Sequence, residues 1–360
     1  MTDLLANVST LQSTLTRRRS TARLTQEMMK AEQEVSTGLK ADVFGDLGEA
    51  AAESVLLRSQ IDRNTAFTTT NSLLSGRMEV MAQSLGQIRS TGEDFLSLAA
   101  GNRDSPGALV AQLQDSAIAA LNQITTTLNS RYQGNALFAG IDSDTVAVQN
   151  WTQPDADTGL SPADVLTSIT GTGPTTQAQA QAMVAEIATV FDNTHANPDL
   201  HYEASFYNGT PALTAGGAPQ ERVVALIDEG VTLNYGVQAN DAAFTDLMRG
   251  LTMLAAVDVS QIADPDAYAA YVTEAVDAIS VGIGGVLAAE TQLGAQQKLV
   301  EDTSTALEDV NDIYNSRILA LEAVDPYEAA TRLSQLETQL QSSYAVTARL
   351  MNLSLLNFLV

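Results

Sequence analysis

Cysteine is absent from the 360 residues. Its absence excludes a disulfide framework, a zinc ribbon and thiol catalysis together. Histidine is nearly absent: His195 and His201 are the only two, too few for a multi-histidine metal site or for most histidine-based catalysis. Positive charge is scarce as well. Eighteen Lys and Arg stand against 43 Asp and Glu, a net charge of −25. That balance opposes nucleic acid, whose phosphates require a basic face, and opposes adsorption to an anionic membrane surface. His-Glu-x-x-His, Gly-x-Ser-x-Gly and Walker sequences are also missing, which removes the commonest hydrolase and nucleotide-binding signatures.

The opening residues carry Asp3 and no basic residue before Arg17, so no Sec-type signal is expected. The apolar stretch Leu350 to Val360 is far shorter than the ~20 residues of a spanning helix, and polar residues interrupt it. The expectation is a protein that is either cytoplasmic or exported by a route leaving no cleavable signal.

Proline is sparse at both ends. None precedes Pro106, seven lie from Pro154 to Pro265, and only Pro326 follows. Because proline breaks a helix interior, the two ends read as helical and the middle does not. Charge divides the chain in the same way. From Ile141 to Ala270 there are 17 acidic and two basic residues, whereas the first forty carry six basic and four acidic. An acidic, loop-rich centre is thus inserted between two helical arms.

In the second arm, alternate steps of four and three from Val272 reach Val276, Ile279, Ile283, Val286, Glu290, Leu293, Gln297, Val300, Ser304, Leu307, Asn311, Tyr314, Ile318 and Leu321. Eleven of these fifteen are apolar, as a coiled-coil helix requires. The four exceptions share one heptad position. They either fix register against a facing helix or meet solvent along a bundle groove. In the first arm Leu4, Val8, Leu11 and Leu15 form one stripe, and Met28, Ala31, Val35 and Leu39 another. A helix is expected from about Glu49 to Ala99, with Leu74, Met78, Met81, Leu85, Ile88, Gly92 and Phe95 at heptad spacing. Asn102 to Gly107 reads as a turn, with Asp104 or Ser105 capping a helix that has Pro106 at its first position. That helix turns Val110, Ala117, Leu121, Ile124 and Leu128 inward.

In the centre, Arg222–Ile227 and Val231–Tyr235 read as a hairpin turning at Asp228-Glu229-Gly230. Ala204–Gly209 reads as a further strand, Ala178–Phe191 as a helix and Thr170–Thr176 as a loop. The fold class is mainly α: an elongated helical bundle or coiled coil formed by both arms, with a small inserted mixed α/β lobe.

No catalytic, cofactor-binding or metal-binding constellation emerges. Asp142-Ser143-Asp144 and Asp155-Ala156-Asp157 lack the glycine and terminal glutamate of a calcium loop. His195 and His201, beside Asp192, Asp199 and Glu203, read as a polar loop that contains histidine. Gly282-Ile283-Gly284-Gly285 lies inside the heptad helix and is not followed by Lys-Ser/Thr, so it is no phosphate loop. Arg17-Arg18-Arg19 with Arg23 and Lys30 is too small a patch for nucleic acid and fits pairing with acidic neighbours between subunits.

Three segments carry a resemblance. Leu340 to Leu359, ending Leu355-Leu356-Asn357-Phe358-Leu359, is similar to the C-terminus of bacterial flagellins. Glu34-Val35-Ser36-Thr37-Gly38-Leu39-Lys40 resembles the turn after their first helix. Leu128 to Gly140, with Asn129, Tyr132, Gly134, Leu137, Phe138 and Gly140, resembles their N-x-x-Y-x-G-x-x-L-F-a-G segment. Phe138-Ala139-Gly140 is closer to the hook–filament junction members of the flagellin family than to its filament members. Asp228-Glu229-Gly230, Tyr235-Gly236-Val237 and Asn240 to Leu254 resemble the junction members' return into their helical domain. Val43 to Glu49 departs from the family's usual sequence after the glycine turn.

The resemblance implies a structural, non-enzymatic protein that is secreted by type III export and located extracellularly in the bacterial flagellum. Its implied partners are hook-associated protein 1, flagellin, an export chaperone and further copies of itself in a ring. It also implies terminal helices that order on assembly and an acidic lobe facing outward. Residues 1-36 plus 325-360 would form the polymerisation coiled coil, 37-140 plus 242-324 a helical bundle, and 141-241 the outer lobe. The expected polymerisation interface is Leu4, Val8, Leu11 and Leu15 with Leu336, Leu340, Tyr344, Thr347, Leu350, Met351, Leu355 and Phe358, a largely apolar set whose exposure to water is unfavourable. Alternatives are a filament flagellin and, from a different class, a cytoplasmic coiled-coil scaffold or adaptor.

Overall fold

The computed structural model describes residues 2–358, with side chains described at 12 and from 14 to 349. The fold is mainly α. Its elements are α1 (Thr2–Thr37), α2 (Val43–Leu47), α3 (Ala50–Ala100), α4 (Leu113–Leu128), β1 (Arg131–Tyr132), β2 (Asn135–Ala136), α5 (Pro162–Thr170), α6 (Gln177–Phe191), α7 (Tyr202–Ser205), β3 (Val224–Asp228), β4 (Val231–Asn234), α8 (Ala242–Ala256), α9 (Pro265–Glu322) and α10 (Pro326–Phe358). The chain divides into two compact units, Met1–Ala66 with Ala306–Val360, and Phe67–Thr305. Helices α3 and α9 contribute segments to both.

In the first unit α1 packs against α10. Thr21 meets Ser343 at 3.2 Å and Glu34 meets Arg332 at 3.8 Å, so the two helices run antiparallel. Ala31, Ala329 and Leu336 are buried between them, with Leu24, Met28, Leu333 and Leu340 half-buried. Val35 is exposed and Glu34 occupies the inward position instead. The expected stripe through Val35 is therefore out of register by one residue. Glu34 is needed inside because its carboxylate accepts the Ala41 N–H and faces Arg332. The start of α3 lies antiparallel to the end of α9, linked by Glu53 to Arg317 at 2.8 Å and by Asn64 to Asn311 at 2.9 Å.

In the second unit the α3 stripe Leu74, Met78, Met81, Leu85, Ile88 and Phe95 is buried, as are Val272, Val276, Ile279, Ile283, Val286, Leu293 and Val300 of α9. The heptad reading of both helices is thus the observed inward face. α9 has a stretch apolar and long enough to cross a membrane; its seam residues are the ones buried here. Helix α8 is buried over most of its circumference from Phe244 to Ala255. It crosses α9 closely because glycines face it. A Cβ on Gly282 would lie 2.6 Å from Leu247 Cα, and one on Gly250 would lie 2.6 Å from the Ile279 side chain. The tyrosines at the start of α9 are fully buried and their hydroxyls are used: Tyr268 donates to Asn102 O at 2.6 Å and Tyr271 to Met253 O at 3.0 Å.

Residues 141–241 share one continuous buried cluster with these helices. The expected hairpin is β3–β4, antiparallel with an irregularity between Leu226 and Asp228. A second, two-residue hairpin joins β1 to β2 through Gln133 and Gly134, both at positive φ, the conformation of a primed turn. Two local expectations fail. Ala204–Gly209 is not a strand: α7 ends there, the Phe206 N–H bonds Tyr202 O, and only Tyr207 bridges Val148. Packing of Phe206 against Tyr202, stacked, and Phe191, tilted, at 5.3 Å from each, outweighs β propensity. The second concerns Pro106, which does not begin a helix. A 3-10 turn opens at Val110 and α4 at Leu113. Asn102 holds the preceding turn instead, donating to Leu98 O and accepting from Gly107 N.

Candidate assembly interface

The α1–α10 pair is the candidate site, and its geometry is set where the pair is anchored. Helix α1 ends because Gly38 adopts φ +69°, a left-handed C-terminal position that glycine takes without a Cβ clash. The chain then extends for two residues. Leu39 bridges Ala323, Lys40 N donates to Glu322 O at 2.8 Å, and Val324 N donates to Gly38 O at 2.9 Å. This short antiparallel step ties the end of α1 to the link between α9 and α10. Lys40 Nζ adds a bond to Leu321 O at 3.1 Å. Asp325 then caps α10 by accepting the Tyr327 N–H at 2.8 Å, ahead of Pro326 at the first helical position.

Beside this step sits Glu322, only 3% exposed. Its carboxylate accepts from the Ser54 hydroxyl and from Arg58 at 2.7 Å. Burial works against its charge, yet the Ser54 and Arg58 bonds prevail and hold its pKa below the ordinary glutamate range. Nearby, Asp42 caps the short α2 by accepting the Gly45 N–H at 3.0 Å and takes Lys30 Nζ at 2.9 Å. The Lys30 bond, with the Gly45 N–H, lowers the Asp42 pKa and raises that of Lys30. The segment Val43 to Glu49, unlike its family counterpart in sequence, is thus a helical turn fastened to α1.

Of the expected interface residues, Leu336 is buried, Leu340 and Thr347 are half-buried, and all three line the α1–α10 seam. Leu15 is 48% exposed and Tyr344 55% exposed, both turned away from that seam. Ser343 holds the seam position that a four-residue step assigned to Tyr344, and it pairs with Thr21. Leu4, Val8, Leu11, Leu350, Met351, Leu355 and Phe358 lie outside the residues whose side chains are described. Sequence reasoning missed Glu322, Ser54 and Arg58. A charged residue at the end of a heptad run, next to a proline, was the available signal.

The acidic and histidine motifs resolve as local structure. The Asp155 carboxylate accepts the Asp157 and Thr158 N–H groups at 2.8 and 3.0 Å. His201 Nε2 contacts His195 O at 2.8 Å, and His195 Nδ1 accepts the Asn197 N–H. Among the described residues no group of three His, Asp or Glu could hold a metal ion. The Phe138-Ala139-Gly140 segment is internal. Phe138 packs edge-on against Phe244 at 6.1 Å, its carbonyl accepts the Ala239 N–H, and Gly140 at φ +72° leaves no room for a Cβ beside Thr210 and Gln238.

First and last helices are paired in antiparallel, with a helical bundle and a small mixed insert between them in sequence, and comparison with known proteins places this arrangement among helical flagellar proteins. The family model of the bacterial flagellin N-terminal helical region matches residues 8–143. That of the bacterial flagellin C-terminal helical region matches residues 276–359. The chain belongs to the flagellin family, whose members are structural proteins that self-associate in the flagellum. A solved structure described as a flagellar hook-associated protein of Vibrio parahaemolyticus shares the fold, with a TM-score of 0.50 at 12% identity over 76% of this chain and 98% of that one. No curated protein matches the sequence significantly.

Proposed function

We propose that this chain forms the junction ring between hook-associated protein 1 and the first flagellin of the filament, most like the hook–filament junction protein FlgL (hook-associated protein 3). The carrying observation is Phe138-Ala139-Gly140, which resembles junction members more than filament members and sits as a unit against Phe244, Ala239 and Thr210. In this reading the chain is secreted through the flagellar type III route with an export chaperone, has no enzymatic role, and acts extracellularly. Residues 1-36 plus 325-360 would polymerise by helix–helix packing, and residues 141-241 would face outward. Electron microscopy of a deletion strain tests it. Intact hooks without filaments, with flagellin lost to the medium, are expected; normal filaments would refute the junction role.

A filament flagellin is the second reading, because the Leu355-Leu356-Asn357-Phe358-Leu359 ending resembles one that filament and junction members share. Copy number separates the two. One ring of subunits per flagellum fits the junction, and thousands of copies fit the filament.

A further inference from the structure

Resting on the self-association proposed above, we infer that Arg17-Arg18-Arg19 of one copy docks on Glu308, Asp309 and Asp312 of a second copy. Arg18 and Arg19 are exposed on the sides of α1 away from the Thr21, Leu24 and Met28 seam, while Arg17, half-exposed, lies in line with that seam beyond Thr21. Among the described residues none of these three has an acidic partner, whereas Arg23 on the same helix is held by Glu27 at 3.0 Å. Glu308, Asp309 and Asp312 on α9 are likewise exposed, and among the described residues no cation meets them. The nearby Arg317 is taken by Glu53.

The acidic row is self-repelling in a single chain, since Glu308 and Asp309 lie one turn before Asp312 and like charges at that spacing destabilise a helix. A basic row laid against it relieves that repulsion. The two rows are of comparable extent, roughly 3 Å for the arginines and 6 Å for the carboxylates along their axes. Each row adjoins an exposed apolar side chain. Leu15 lies three and four residues before Arg18 and Arg19, and Ile313, 65% exposed, lies four residues after Asp309.

The partner is a second copy and not a polyanion, because the chain itself supplies the complementary acidic row, whereas the basic patch is too small a face for nucleic acid or an anionic lipid surface. Every copy supplies one basic and one acidic row. Two different surfaces in contact make a heterologous interface, which closes into a ring or continues as a helical array.

The lack of cysteine makes the test clean. Arg19→Cys/Asp309→Cys is expressed in place of the wild-type chain, and sheared flagella are treated with a bis-maleimide spanning about 10 Å, the separation of Cα atoms across an extended ion pair. Covalent multimers are expected from the double variant and none beyond a dimer from either single one. In parallel, Arg18→Glu/Arg19→Glu and Glu308→Lys/Asp309→Lys each lower incorporation into flagella about tenfold, and combining them restores it. Circular dichroism of the purified variants confirms that these exposed substitutions leave the helices folded. A double-cysteine variant that enters flagella yet gives no multimers, or reversals that incorporate normally or are not rescued in combination, overturns the contact alone. Wild-type chain absent from flagella overturns the self-association reading with it.

Discussion

Glu322 holds a charge where burial disfavours it, and that conflict has a measurable consequence. Its pKa is depressed in the folded state because the Ser54 hydroxyl and Arg58 guanidinium outweigh desolvation. The unfolded chain binds the proton more readily, so the carboxylate's stabilisation is fully present above the ordinary glutamate value of ~4.3. It is lost as pH falls through the depressed folded value. Amide protection factors over residues 37–41 and 318–325 should therefore fall between about pH 5 and pH 3 in the wild type. Glu322→Gln should flatten that dependence and exchange faster at neutral pH. An unchanged slope in the variant would show that the node does not anchor the α1–α10 step.

At the level of elements, the glycines of α8 and α9 divide by surroundings and not by sequence. Gly282 and Gly250 sit where a Cβ would enter the facing helix, whereas Gly284 and Gly294 have nothing within 4 Å. Glycine in a helix interior costs ~1 kcal/mol against alanine. Gly284→Ala should then raise stability by about that amount. Gly282→Ala should lower it by a net 1 kcal/mol or so, as overpacking at 1–3 kcal/mol exceeds the propensity gain. Trp151, the single tryptophan and nearly buried in the second unit, reports urea unfolding of both variants. The same contrast explains what was legible. Heptad spacing from Val272 to Val300 identified the inward face because core positions recur every three or four residues. It identified Gly282 only as not a phosphate loop, since closeness to Leu247 depends on a partner helix that sequence does not display. The seam on α10 slipped by one residue for a similar reason. Tyr344 is the more apolar choice, yet Ser343 faces Thr21. The polar seam residues Glu290 and Asn311 became interpretable once Arg89 and Asn64 were seen opposite them, at 3.0 and 2.9 Å. They fit the register-fixing reading.

For the molecule as a whole, the division into two units lets folding and assembly be tested apart. The buried cluster of the second unit runs from Leu74 to Val300 and includes nothing from α10. Truncation before Leu350 should therefore leave that unit intact, with an unaltered Trp151 unfolding transition. It would remove Leu350, Met351, Leu355 and Phe358, each worth ~1.5–3 kcal/mol if fully buried against neighbouring copies. Because α10 keeps Ala329, Leu333, Leu336 and Leu340 against α1, the α1–α10 seam would retain its described contacts. Loss of incorporation into flagella, with the fluorescence transition preserved, is the expected result, and it would assign those residues to contacts between subunits. Normal incorporation of the truncated chain would instead return the work of assembly to surfaces such as the α1 arginines and the acidic row of α9, whose charges lie outside the deleted segment.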